Sequence, residues 1–108
     1  MKNFFLFVHY IRMNKYLVEF LGTMFLMYVI LATGNWAAIG GALAIGALLG
    51  GPISGGSYNP AVTIALYSAG KLAKPDVVPY IIVEILGALA AFYAYQNYVN
   101  KPQGNSQK

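Results

Sequence analysis

One short stretch of the chain carries the residue types best suited to guiding a small solute. Residues 50–70 read GGPISGGSYNPAVTIALYSAG. Glycine and proline dominate the first part, which predicts irregular backbone over residues 50–58. Asn59 is a favoured N-cap residue, Pro60 suits the first helical position, and Gly70 suits a left-handed C-terminal cap. These signals predict a helix of about twelve residues that spans roughly 18 Å, which is about half of a bilayer.

A half-length helix between two membrane spans has a specific chemistry. Irregular backbone at membrane depth is tolerated only where protein buries it or where it lines a water-filled path, which favours a re-entrant loop over residues 50–70. The N-terminus of the half-helix would bring a partial positive charge to the middle of the bilayer, where it disfavours cations and protons. The Asn59 amide adds N–H donors there, and unpaired loop carbonyls add acceptors on the approach. This pattern fits the passage of small, neutral, hydrogen-bonding solutes.

The chain lacks the residues that catalysis or metal binding would require. His9 is the only histidine, there is no cysteine, and the sequence contains three acidic residues. Metal sites and activated nucleophiles depend on clusters of these residue types. We therefore expect no enzyme activity, no cofactor and no bound metal.

The composition is that of an integral membrane protein. Of 108 residues, 58% are hydrophobic and 9% are charged, whereas a soluble domain carries about a quarter charged residues. The apolar residues form blocks of membrane-spanning length, at about 16–34, 36–51 and 77–98. We predict an all-α membrane protein with three transmembrane helices and one re-entrant half-helix. Residues 1–15 are interpreted as an interfacial lead-in and residues 99–108 as a polar tail.

Small residues recur at helical spacing in two of the predicted spans. Ala42, Gly46 and Gly50 form one stripe, and Gly87 and Ala91 form another. Such stripes allow helix backbones to approach closely in lipid. They predict tight helix packing and say nothing about a solute.

The basic residues flank the apolar blocks instead of forming one patch, so no nucleic-acid partner is expected. With the N-terminus in the cytoplasm, five would lie inside and two outside, which favours that orientation. A start at Met13 would reduce the bias to three against two, so insertion in both orientations stays open. The basic residues are Lys2, Arg12, Lys15, Lys71, Lys74, Lys101 and Lys108.

Three motifs in order resemble one family. Residues 51–63, GPISGGSYNPAVT, resemble the Ser-Gly and Asn-Pro-Ala-Val-Thr signature of the aquaporin and glycerol-facilitator family. Residues 19–23, EFLGT, resemble its first-helix motif, and residues 78–88, VPYIIVEILGA, resemble its third helix, where glutamine is commoner than Glu84. The resemblance covers about residues 14–98 and corresponds to the first of the family's two inverted halves.

The resemblance implies roles for individual residues. The pore-centre box would be Asn59, Pro60 and Ala61, and the carbonyls that guide solute would be those of Gly55, Gly56 and Ser57. Glu19 would brace the loop by accepting its backbone N–H groups, an interpretation preferred to that of an interfacial acid.

Glu84 is an acid inside the membrane and is therefore a candidate functional site. Two interpretations stay open: a structural replacement for glutamine, and a proton relay.

The residues expected at the constriction are apolar or small. Val62 follows the box, as in typical first halves, whereas most second halves of the family have arginine there. By counting back from Asn59, we place the other constriction positions at Ile39, Ala47 and Gly56. A constriction of this kind would be relatively wide, which favours glycerol-like or mixed small solutes over water alone.

The expected function is that of a half-channel subunit in the lipid bilayer. One half-helix reaches only the middle of the membrane, so the pore would need a second copy, in an antiparallel dimer, or a complementary half-channel. Two other classes stay open. A proton-coupled small multidrug-type transporter would share the membrane glutamate in its first helix, and a non-conducting subunit would pair with another channel.

Overall fold

The computed structural model describes residues 2–100, without the side chains of residues 7–13. In this range the chain forms four α-helices and no strand. Three of them are long and apolar enough to cross a membrane, with the first span starting at Asn14. This confirms the predicted all-α class with three membrane-spanning helices and one short helix. The helices are α1 (Lys2–Thr33), α2 (Trp36–Ser54), α3 (Pro60–Ser68) and α4 (Lys74–Val99).

The first helix is longer than the predicted span, because α1 begins at Lys2 and continues without a break to Thr33. The lead-in over residues 1–15 is therefore helical from residue 2, and its interfacial position stays a prediction. At the other end, Asn100 caps α4. The rest of the predicted tail, residues 101–108, lies outside the described residues, as does Met1.

The connection between α1 and α2 consists of two residues, one of which makes the turn while the other caps α2. Gly34 adopts a positive φ of 55° and turns the chain. Asn35 then caps α2, since its Oδ1 accepts hydrogen bonds from the N–H groups of Ala37 at 3.0 Å and Ala38 at 2.9 Å. A side-chain acceptor at this position satisfies N–H groups that have no partner inside the helix.

The second helix corrects the expectation that irregular backbone begins at residue 50. Helix α2 continues to Ser54 and includes Pro52. Proline fixes φ near its helical value and removes a single N–H donor, so near a helix end it costs one backbone hydrogen bond. The helix ends where Gly55 takes a φ of 92° and its N–H donates to the carbonyl of Gly51 at 2.8 Å. The irregular segment is therefore residues 55–59.

The short helix α3 has nine residues and ends at a glycine cap. Gly70 has a φ of 77°. Its N–H donates to the carbonyl of Tyr67 at 3.0 Å, and the N–H of Lys71 donates to that of Leu66 at 2.8 Å. These two bonds form a Schellman motif, as the glycine at this position predicts. Nine residues span roughly 14 Å. The helix is shorter than the predicted twelve residues because Asn59 caps its start and Ala69 and Gly70 form its C-terminal cap.

Helix α1 lies at the centre of the fold. It packs against α2 on one side and α4 on the other, and α3 packs against α4. At one end of the α1–α4 contact, Lys15 and Asp76 form an ion pair of 2.7 Å, and the Tyr16 hydroxyl donates to the same carboxylate at 2.7 Å. The Tyr16 ring meets that of Tyr80 edge to face.

The two small-residue stripes both lie in contacts with α1, and the stripe on α2 also receives a side chain from the loop. On α4, a Cβ at Gly87 would meet the backbone of α1, with the amide nitrogen of Met24 and the Cβ of Thr23 each 3.3 Å away. That stripe packs helix against helix, as expected. On α2, however, a Cβ at Gly46 or Gly50 would meet the side chain of Tyr58. The expected packing of α2 against α1 is also present, because a Cβ at Gly50 would meet Val18 of α1 as well, and the Tyr58 ring from the loop shares this space.

We expect Gly87→Ala to lower the stability of the folded chain by about 1–3 kcal/mol, because the new methyl group would displace the α1 backbone. Thermal unfolding in detergent measures the effect. Gly41→Ala is the matched control, since Gly41 is exposed on α2 with no atom within 4 Å of an added Cβ. Equal melting temperatures for the two variants would contradict this account of the α1–α4 contact.

Candidate functional site

The loop between α2 and α3 is held through its N–H groups, one after another. The Gly55 N–H bonds the end of α2, and the Gly56 N–H donates to the Ser54 hydroxyl at 3.1 Å. The N–H groups of Ser57 and Tyr58 donate to the Glu19 carboxylate at 3.0 and 2.7 Å. All four donors are thus satisfied without water, as buried backbone requires.

The carbonyls of the same loop are left for other partners. Within residues 2–100, no loop or side-chain hydrogen bond ends on the carbonyl of Gly55, Gly56 or Ser57. In a planar trans peptide the C=O points opposite to the next N–H, so inward N–H groups turn these carbonyls outward. Gly55 is exposed and Gly56 is partly exposed, whereas Ser57 is buried. The structure therefore places two of the three predicted acceptor residues at an accessible surface.

Glu19 is the residue of α1 that fixes the loop. Its exposed fraction is 0%, and besides the two backbone N–H groups it accepts a hydrogen bond from the Ser54 hydroxyl at 2.7 Å. Three donors on one carboxylate compensate its removal from water. These are the contacts expected of an acid that braces the loop. The importance of Glu19 for a pore stays a prediction.

Tyr58 was not recognised from the sequence, although it anchors the loop as much as Glu19 does. It has a φ of 56°, which is rare for a residue other than glycine, asparagine or aspartate, and its side chain is buried. The ring lies against Gly22 of α1 and against Gly46 and Gly50 of α2, and a Cβ at any of the three would overlap it. Its hydroxyl donates to the Gly46 carbonyl at 2.6 Å. These contacts hold the unfavourable backbone conformation in place.

Asn59 joins the loop to α3 with one end of its carboxamide. The Oδ1 atom accepts a hydrogen bond from the Ala61 N–H at 2.7 Å and caps the helix, with Pro60 at the first helical position. The other end of the carboxamide carries two N–H donors. Both Asn59 and Ala61 are exposed. The predicted box therefore lies at an accessible helix N-terminus, where the dipole adds to the donors.

The constriction candidates are only partly brought together. A Cβ at Gly56 would lie 3.4 Å from the Cα of Ala47, so these two positions adjoin. Ile39 lies eight residues before Ala47 on α2, which corresponds to about 12 Å along the helix axis. Val62 is 41% exposed on α3. One copy of the chain therefore does not close a ring with all these residues.

Glu84 fixes the short helix to α4. Its exposed fraction is 0%, and the Thr63 hydroxyl lies 2.7 and 3.0 Å from its two oxygens. The Ser57 hydroxyl is hydrogen-bonded to that of Thr63. A polar chain thus runs from Glu84 through α3 to the loop that Glu19 holds. Ser57 links the two carboxyl groups.

Two further residues of the site went unnoticed in the sequence. Tyr80 is 1% exposed, and its hydroxyl donates to the carbonyl of Ser54 at 2.7 Å, where α2 ends. The sequence indicates Thr63 only as the last residue of the motif at residues 51–63. The signal that could have identified Thr63 is its hydroxyl, which lies four residues after the cap residue Asn59 and before a helix that carries an acid. No pattern in the sequence indicated a role for Tyr80.

Comparison with known proteins agrees with the geometry. Residues 35–108 match the family model described as Major intrinsic protein. The chain is 40% identical over 97 residues to "Glycerol uptake facilitator protein-like 6" of Lactiplantibacillus plantarum, covering 82% of this chain and 45% of the relative. It is 38% identical over 94 residues to "Aquaporin Z" of Brucella melitensis, covering 73% of this chain and 41% of the relative.

A third relative is "Aquaporin AqpM" of Methanothermobacter thermautotrophicus, which is 47% identical over 68 residues, 57% of this chain and 27% of the relative. The chain thus spans less than half the length of these curated relatives. No solved structure matches it significantly. The family match over most of the chain, together with the three apolar helices, shows an integral membrane protein that belongs to the major intrinsic protein family, a family of passive channels and not of enzymes.

Proposed function

We propose that this chain supplies one half of a passive membrane pore for water and small neutral solutes such as glycerol. The observation that carries the proposal is the division of the loop's polar groups. All four N–H groups of residues 55–58 bond within the chain. The outward carbonyls then serve as acceptors on the approach, and Asn59 supplies donors at the helix N-terminus.

The charge distribution of this site favours neutral solutes. An exposed helix N-terminus carries partial positive charge, which disfavours a cation at the same point. The Asn59 donors bind a water or hydroxyl oxygen without needing a charged partner. No lysine, arginine or acid is among the residues proposed to face the solute, which are Gly55, Gly56, Asn59, Ala61 and Val62.

We propose that a second copy, in antiparallel orientation, completes the pore. The half-helix covers roughly 14 Å, so its N-terminus reaches only about the middle of a bilayer of 30 Å. Two copies with opposite orientation would bring two Asn59 residues together there. The constriction candidates, which one chain leaves apart, would then come from both copies. A complementary half-channel from another chain is the alternative source of the same surface.

The width of the proposed constriction suggests the solute class. Ala47 and Gly56 are small and adjoin, and Val62 is apolar and exposed. A site of this kind lacks fixed donors that would select water alone. We therefore favour glycerol-sized neutral solutes in addition to water. The relatives include both an aquaporin and a glycerol uptake facilitator-like protein.

The transporter alternative has less support from the geometry. A proton-coupled exporter needs a membrane carboxylate that substrate and protons reach in turn. Glu19 is fully buried, and its oxygens are engaged by the Ser54 hydroxyl and two loop N–H groups. This arrangement fits a structural carboxylate.

We expect Asn59→Ala and Asn59→Asp to lower water and glycerol flux several-fold, because both remove the amide donors. Aspartate keeps the cap acceptor, so a loss of flux in that variant is not a loss of the helix start. Stopped-flow light scattering of proteoliposomes measures the swelling rate. Asn35→Ala is the matched control, since Asn35 caps α2 in the same way. Flux unchanged in both Asn59 variants would remove this residue from the mechanism.

The proposed assembly is tested by orientation and mass. We expect a tag at the C-terminus to be accessible from both sides of the membrane, because an antiparallel pair requires both orientations. We also expect the mass of the detergent-solubilised assembly to correspond to an even number of chains. A tag accessible from one side only would contradict the antiparallel pair and leave a complementary half-channel as the partner.

A further inference from the structure

The two membrane glutamates are fully buried and belong to one hydrogen-bond network. Glu19 on α1 and Glu84 on α4 each have an exposed fraction of 0%. Their carboxyl groups are joined by one buried chain of hydrogen bonds, because the Thr63 hydroxyl bonds Glu84, the Ser57 hydroxyl bonds that of Thr63, and the Ser57 N–H donates to Glu19.

Among the side chains that the structure describes, no cation lies near enough to neutralise the pair. In the part of the chain that the structure describes, the groups around Glu84 are Glu19 from α1, Thr63 from α3 and Ser57 from the loop, with Tyr80 on its own helix. None of these is cationic, and Lys15 pairs with Asp76 instead. Two adjacent buried charges of the same sign would cost several kcal/mol without compensation.

The hydrogen bonds distinguish the two carboxyl groups. Glu19 accepts three hydrogen bonds, from two backbone N–H groups and the Ser54 hydroxyl, and each stabilises its charged form. Glu84 has no backbone N–H among its described side-chain partners, which are the Thr63 hydroxyl and, behind it, the Ser57 hydroxyl, and each of these is able to donate or to accept. The proton therefore belongs on Glu84.

A second buried group faces the same contact between α1 and α4. Thr23 lies one turn after Glu19, is 2% exposed, and has a hydroxyl with no hydrogen-bond partner among the described residues. Its Cβ lies against Gly87, one turn after Glu84. The contact between α1 and α4 therefore buries a further polar atom one turn away from the two glutamates.

We propose that Glu19 and Glu84 form a buried proton-binding site in which Glu84 carries the proton, and that this proton holds the loop and α3 against α1 and α4. Its loss would leave two adjacent carboxylates, and their repulsion would act on both anchors of the loop. Loss of the proton would therefore weaken the contacts that hold the half-helix. The proposal does not depend on the proposed function, because neither readout below uses solute flux.

Infrared spectroscopy of the purified chain tests the proton directly. We expect the C=O stretching band of a protonated carboxyl group at neutral pH, and its loss in Glu84→Gln. The assignment is simple because the chain has only three acidic side chains, and the third, Asp76, is held by Lys15 and Tyr16. Absence of the band, or a band that persists in Glu84→Gln, would overturn the proposal.

Stability provides the second readout and a matched variant. Glutamine at position 84 has the donor and acceptor of a protonated carboxyl, so we expect Glu84→Gln to keep the neutral-pH melting temperature. Glu19→Gln should lower it by several degrees, because an amide nitrogen would face a loop donor. Equal loss in both variants would contradict the assignment of the proton to Glu84.

Discussion

The buried carboxylate of Glu19 is the constraint on which the arrangement of the site depends. A charge removed from water needs hydrogen-bond donors, and here two are backbone N–H groups of Ser57 and Tyr58 and the third is the Ser54 hydroxyl. The loop needs the carboxylate equally, because irregular backbone at membrane depth must have its N–H groups satisfied by protein. Since each peptide is planar, satisfying the N–H groups on the Glu19 side also sets the direction of the carbonyls. One interaction therefore stabilises the loop and orients its acceptors.

The glycines of α1 and α2 follow from the same loop. Tyr58 places an aromatic ring between the helices at Gly22, Gly46 and Gly50, where side chains would overlap it. The loop is thus held by two kinds of contact. Glu19 binds its backbone N–H groups, and the Tyr58 hydroxyl donates to the Gly46 carbonyl. Lipid provides no hydrophobic drive for helix association, so close packing and hydrogen bonds of this kind supply much of the cohesion.

Local signals in the sequence were sufficient where the structure is local. Asn59 and Gly70 cap α3 as their residue types predict, because each cap involves atoms within a few residues. The end of α2 was misplaced, since Pro52 by itself does not show whether a helix stops or loses one hydrogen bond. The contacts of Tyr58 and Tyr80 join residues distant in sequence, and no spacing pattern records them. The meeting of Glu19 with the loop was expected only through the resemblance to a family, and not from the residues alone.

The short helix α3 is the element with least support of its own. Nine residues form a marginal helix in isolation, so its position depends on its neighbours. Its cap, Asn59, follows directly on the residues that Glu19 holds, and its Thr63 bonds Glu84 one turn later. Two carboxyl groups from two different spans therefore determine where the helix begins and how it is rotated. A change at either carboxyl group would shift α3 and with it the Asn59 donors, although neither glutamate contacts those donors. The protonation of the buried pair is therefore coupled to the position of Asn59.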